Sequence, residues 1–235
     1  MGAAKPEQVA NCGSIGAARA VGPRIGIAQP GESVQLHKLD AFTDATADDP
    51  NSRVGREVAQ WVRTFLMRPH ADLGRIGDVC PFTAQASRLD TIRIGICDAG
   101  HGEADRILNV MEDVVRTFDA MPSPRAMRHF KTIIVAFPNC TDPQGLAALK
   151  HTQNRLSPHS VFRGKMIGFF HSDSPDEGLI NPDFRPMRSP VPLLAVRLMV
   201  EGDAPFIIRN RRLAPVYLAK FWRTGLPRLF AALRR

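Results

Sequence analysis

Between residues 91 and 200, four short apolar runs alternate with segments of helical period, and this alternation restricts the fold more than any other feature of the chain. The runs are 91–97 (TIRIGIC), 131–137 (KTIIVAF), 165–171 (KMIGFFH) and 193–200 (LLAVRLMV). Each is short and rich in β-branched or aromatic residues, so each reads as a strand. After the first run, Ile107, Leu108, Met111, Val114 and Val115 fall on one face of a helix predicted over 103–118 and closed by Met-Pro-Ser-Pro. A second helix is predicted over 142–156. An earlier one is capped by Asn51 or Ser52, carries Val54, Val58, Trp61, Val62, Phe65 and Leu66, and ends before Pro69. Strands alternating with helices predict an α+β fold with α/β-like order: a single mixed sheet flanked by helices. No repeat is present.

Residues 1–50 show no sustained period and are expected to be mostly disordered or loosely packed; 51–235 form a single domain. Two stretches inside that domain resist assignment to helix or strand. One is the glycine-punctuated 69–82 (PHADLGRIGDVCPF), and the other is the connection 172–192, which holds five prolines. A long structureless connection in a compact domain is usually functional or disordered. The second stretch also carries Arg185 and Arg188 within Phe-Arg-Pro-Met-Arg-Ser-Pro, so it is not plain linker. No stretch approaches a membrane span, and the first residues contain no apolar core of signal-peptide length after Lys5. The expectation is a cytoplasmic protein.

The net charge of +8 has a local origin. After Asp203 there is no acidic residue, and the tail carries eight bases: Arg209, Arg211, Arg212, Lys220, Arg223, Arg228, Arg234 and Arg235. The remaining 23 bases balance 23 acids. Apolar residues interleave with these bases in a predicted basic amphipathic helix started by Asp203 and Pro205 and broken at 225–227. Its apolar face is expected to pack on the core, with an anionic membrane or an acidic partner as the other readings. No helix-turn-helix, zinc-finger or RNA-binding signature accompanies it, so no nucleic-acid partner is expected.

Cys12, Cys80, Cys97 and Cys140 include no Cys-x-x-Cys pair, which argues against structural zinc. Cys97 and Cys140 read as buried thiols. Cys80 differs because it opens Cys80-Pro81-Phe82 at a rigid turn. Among seven histidines, His37, His101 and His129 read as surface residues, while His171 ends a strand and enters the long connection. His171-Ser172-Asp173 spells two ligands of a facial triad, but no histidine follows to complete it. Nucleophile-elbow and zincin motifs are absent.

Three segments, 74–96, 164–190 and 191–207, carry a pattern of the form G-x-M-x-G-x-F-H … R-P-x-R-S-P. This pattern resembles a sparsely characterised bacterial family of natural-product gene clusters. The Cys-Pro-Phe segment is also distantly similar to the Pro-Cys stretch of YqcI/YcgG-type proteins, which include haem-dependent arginine N-hydroxylases. Lysine nitro-forming haem oxygenases of the hormaomycin and belactosin pathways are of similar size. The resemblance implies a haem-dependent monooxygenase oxidising the side-chain nitrogen of a basic amino acid with O2. Haem b would be bound non-covalently, since no Cys-x-x-Cys-His motif exists. His171 is then the first candidate for the iron ligand and Cys80 the second. Arg185 and Arg188 would face haem propionates or a substrate carboxylate, because a guanidinium matches a carboxylate bidentately; fastening the loop to backbone carbonyls is the structural alternative. Asp173, Asp176 and Glu177 would hold the substrate ammonium. The partners implied are an amino-acid substrate and an external reductant, and a homodimer is compatible with this reading. The competing reading is a non-catalytic carrier of haem or another small ligand, or a partner-binding protein that uses the basic C-terminal helix.

Overall fold

The computed structural model of the chain describes residues 33–43, 48–208 and 213–227. Its centre is one five-stranded mixed sheet in the order β1-β2-β3-β5-β4, made of β1 (His37–Lys38), β2 (Ile92–Ile96), β3 (Thr132–Ala136), β4 (Lys165–Phe170) and β5 (Leu193–Leu198). The pairs β1–β2, β3–β5 and β5–β4 are antiparallel and β2–β3 is parallel. The carboxyl ends of β2, β3 and β4 therefore share one edge of the sheet, where the 172–192 connection leaves β4 and returns to β5. The fold is the α+β arrangement expected, and the four predicted strands lie where the apolar runs are.

Helices cover both faces. Helix α1 (Pro50–Trp61) starts with Pro50, and its cap is Asp49, whose carboxylate accepts from the backbone of Asn51 and Ser52 at 3.0 Å each. Asn51 and Ser52, expected as caps, are the buried donors to that cap. Helix α3 (Ala104–Ala120) buries Ile107, Leu108, Met111, Val114, Val115 and Phe118 against the opposite sheet face. Helix α4 (Pro143–Phe162) is capped by Asp142, whose carboxylate accepts from Gly145 N at 2.7 Å. It runs through Pro158 to Phe162, beyond the expected end at 156. The proline falls in the second-last turn, so it removes one hydrogen bond without ending the helix. Gly164, at φ +72°, closes α4 in the left-handed conformation that glycine adopts freely.

Within the first fifty residues, expected to be mostly disordered or loosely packed, 33–43 are an ordered part of the domain. Val34, Leu39 and Phe42 are buried, and β1 pairs in register His37↔Ile94. Two paired residues are too few to show a period of two in the sequence. Residues 1–32 and 44–47 lie outside the described residues. The short α2 (Thr83–Arg88) is a helix the sequence pattern does not mark, because its six residues carry only one buried side chain, Ala86. In the tail, α5 (Ala204–Ile208) and α6 (Ala214–Lys220) bury Ala204, Ile207, Leu213 and Tyr217 in a cluster of their own, as expected of an amphipathic segment. Six of the eight tail arginine and lysine residues, Arg209, Arg211, Arg212, Arg228, Arg234 and Arg235, lie outside the described residues. No helix among the described residues is long and apolar enough to cross a membrane.

Candidate functional site

Residue size tapers in opposite directions on the two sheet faces. On the α1 face one register row runs Ile94, Ile134, Ala195, Gly168 from β2 to β4. On the α3–α4 face the next row runs Gly95, Val135, Leu194, Phe169. The α1 face is thus left low over β5 and β4, and aromatic side chains from elsewhere stand above it. A Cβ on Gly168 would come within 2.8 Å of the Phe170 ring, so glycine allows that ring to fold back over the strand.

Trp61 meets Phe170 edge-on at 5.6 Å and donates through Nε1 to Arg188 O at 3.1 Å. After Trp61 the helix widens into a π-helical turn, Val62–Leu66, with Met67 N bonded to Val62 O at 3.1 Å. Phe65, in that turn, stacks on Trp61 at 6.2 Å and approaches Phe184 at 6.1 Å. His70 lies against Phe184 at 4.8 Å. The rings wall an open cleft of about 510 Å³, completed by Arg185, Arg188, Ser172, Ser189, Pro190, Asp72 and Asp183.

The two irregular stretches build this cleft together. Asn181 Nδ2 donates to Asp72 O at 2.8 Å, and Ile180 sits over Gly74, whose φ of +73° favours glycine and where a Cβ would come within 2.8 Å of the Ile180 side chain. Within the 172–192 connection, Gly178 N donates to Phe184 O at 2.8 Å and Ser189 Oγ to Val191 O at 2.7 Å. Arg185 donates to the carbonyls of Pro182 and Phe184, and Arg188 Nε to Ser174 O at 3.5 Å. Both arginines fasten the loop, yet among the described residues neither makes an ion pair, and both line the cleft. His70 Nδ1 accepts from Asp72 N at 3.2 Å, which leaves Nε2 as the protonated nitrogen of the neutral ring.

The residues singled out by sequence separate into three places. Arg185 and Arg188 come together in the cleft. Cys80 packs, half-buried, against the α1-face core; its backbone N donates to Leu66 O at 2.9 Å, and its Sγ makes no hydrogen bond among the described residues. Arg197, on the same face, lies close enough for its charge to interact with Cys80, and it is held by Asp203 in a bidentate pair at 2.8 and 2.5 Å. His171 turns the other way, its ring 4.9 Å from Phe169 on the α3–α4 face. Its Nδ1 is buried without a partner, and burial pushes its pKa down, with Asp173 and Asp176 opposing. Asp173, Asp176 and Glu177 are exposed and do not line the cleft. The carboxylates that do are Asp72 and Asp183.

The cleft residues the sequence reading missed are Trp61, Phe65, His70, Asp72, Asp183 and Phe184. Trp61 and Phe65 were assigned as helix core, and their spacing alone gives no sign of the π-helical turn. Elsewhere, Cys97 and Cys140 are fully buried, and burial pushes the Cys140 thiol up to about 11, which makes it inert near neutral pH. Among the described residues, no three His, Cys, Asp or Glu side chains converge as a metal site.

The chain matches the family described as a domain of unknown function (DUF6875) over residues 55–229, most of its length, and belongs to that family. No curated protein and no solved structure matches it.

Proposed function

We propose that this chain is a haem-dependent oxygenase that oxidises the side-chain nitrogen of a basic amino acid with dioxygen. The observation that carries the reading is the aromatic-walled cleft with two guanidiniums that make no ion pair among the described residues, on the same sheet face as a half-buried thiol. Flat aromatic surface and carboxylate-seeking cations are what a haem or an amino acid requires of its site. Of the two candidate iron ligands, Cys80 shares the sheet face of Arg185 and Arg188 but packs in the core outside the cleft lining, and His171 faces the opposite side, so Cys80 is the ligand to test first. The haem, when bound, would supply dioxygen activation. The chain's own groups would do the rest. Arg185 and Arg188 would pair with propionate or substrate carboxylate. Asp72 and Asp183, rather than the exposed Asp173, Asp176 and Glu177, would hold the cationic end of the substrate. His70 Nε2–H would donate a hydrogen bond into the cleft.

A second reading, a non-catalytic haem or small-ligand carrier, draws support from the openness of the cleft, which leaves a ligand in contact with water. Hemin titration of the purified chain tests the ligand assignment. Saturable binding with a Soret band is expected for the wild type and for His171→Ala, and its loss or spectral change for Cys80→Ala. A flat spectrum would overturn the haem reading. Binding without turnover of lysine or arginine in the presence of dioxygen and a reductant would assign the chain as a carrier.

A further inference from the structure

We propose that the surface formed by the end of α4 and the segment after α6 docks on an anionic lipid bilayer, independently of the haem reading. Three large apolar side chains stand in water there: Phe162 at 68% exposure, Trp222 at 68% and Leu226 at 48%. Exposed apolar residues grouped beside charges mark interaction surfaces. They are brought together by Lys220 Nζ, which donates to Gly164 O at 3.0 Å and so ties the turn after Phe162 to the segment leading to Trp222.

The polar groups interleaved with them are cations. Arg223 lies over the Trp222 ring at 5.0 Å and makes no ion pair among the described residues. Arg163 is 60% exposed, and its one ion-pair partner among the described residues is Asp119, at 3.9 Å, a carboxylate already paired with Lys165 at 2.7 Å. From residue 204 onward the sequence holds eight bases and no acid. Cations beside Trp, Phe and Leu suit the headgroup boundary of an anionic membrane, where apolar burial and electrostatic attraction add. The apolar face of α6 is already spent, through Tyr217 and the capping Leu213, in the cluster it forms with α5, so the apolar residues left outside are not explained by packing. An acidic protein would satisfy the cations, whereas an anionic bilayer satisfies them and takes up the three exposed apolar side chains together.

The chain holds two tryptophans, Trp61 buried and Trp222 exposed, so emission reports the site directly. The experiment is vesicle co-sedimentation with fluorescence, using phosphatidylglycerol–phosphatidylcholine vesicles against phosphatidylcholine alone. Co-sedimentation with the anionic vesicles at low salt, a blue shift of emission, and loss of both in high salt are expected. Trp222→Phe should abolish the shift. Arg163→Gln and Arg223→Gln, both at exposed positions, should each weaken partitioning about fivefold. Equal binding to neutral vesicles, absence of binding, or full binding by the Arg163→Gln/Arg223→Gln double variant would overturn the proposal. Retention on immobilised polyglutamate without vesicle binding would also overturn it, and would assign the surface to an acidic protein.

Discussion

The two faces of the sheet divide the work of the molecule. On the α3–α4 side, Ile133, Val135, Phe137, Leu194 and Val196 are fully buried under two long helices. On the α1 side, the row that begins with Ile94 ends with Ala195 and Gly168, both only partly covered, and loops rather than helices close the space. The difference separates stability from ligand space. A face packed at interior density leaves no room for a partner molecule. A face closed by loops can accept one at modest cost, because His70 and Arg188 already meet water there.

The comparison is broken most severely from the sealed side. Phe118→Ala should cost about 3–5 kcal/mol in denaturant unfolding, since Phe118 is 1% exposed and also lies 4.6 Å below the buried Lys131 ammonium. Asp119→Ala comes next, at about 2 kcal/mol, because it removes the carboxylate 2.7 Å from Lys165, a side chain only 1% exposed, while its own 48% exposure screens the pair. On the cleft side the effects shrink. Arg185→Ala should cost about 1 kcal/mol through its lost loop carbonyl bonds. Arg188→Ala should leave the midpoint within about 0.5 kcal/mol of wild type while weakening hemin binding about tenfold. A cleft variant as destabilising as Phe118→Ala would erase the distinction.

The smallest effect is a pH slope. Burial lowers the pKa of His171 and of His37 below the ordinary 6.5 in the folded state. As pH falls through about 6.5, the unfolded chain takes up protons that the folded chain refuses, so stability declines toward acid until the lower folded values are reached. His171→Asn should make stability flatter between pH 7 and 5, as read by unfolding at each pH. An unchanged slope would show that its ring is more accessible than the packing on Phe169 indicates.

Most of the sheet was legible in the sequence because β2 to β5 are short apolar runs, broken inside only by Arg93 and Arg197, between turn residues. The helices over α1 and α3 were legible from their apolar spacing. What escaped was structure held by other parts of the chain. The strand at His37–Lys38 exists through its partner β2, and the cleft through contacts between residues more than a hundred positions apart, such as Trp61 with Arg188 and Asn181 with Asp72. Arg185 and Arg188 could be picked out because they interrupt a proline-rich run. His171 could be picked out too, but a strand end alternates its side chains across the sheet, and one residue decides the face. Nothing in its neighbours distinguishes the face of the cleft from the face of α3 and α4.

The lacing of the 69–82 stretch to the 172–192 connection makes the cleft a single cooperative unit rather than two independent loops. Asn181 holds the carbonyl of Asp72, Ile180 rests over Gly74, and the ring of Phe184 closes against His70. A molecule settling between them would slow amide exchange in both stretches together, and loosening either would raise the exchange of the other. The order of one loop is thereby part of the binding constant of the other.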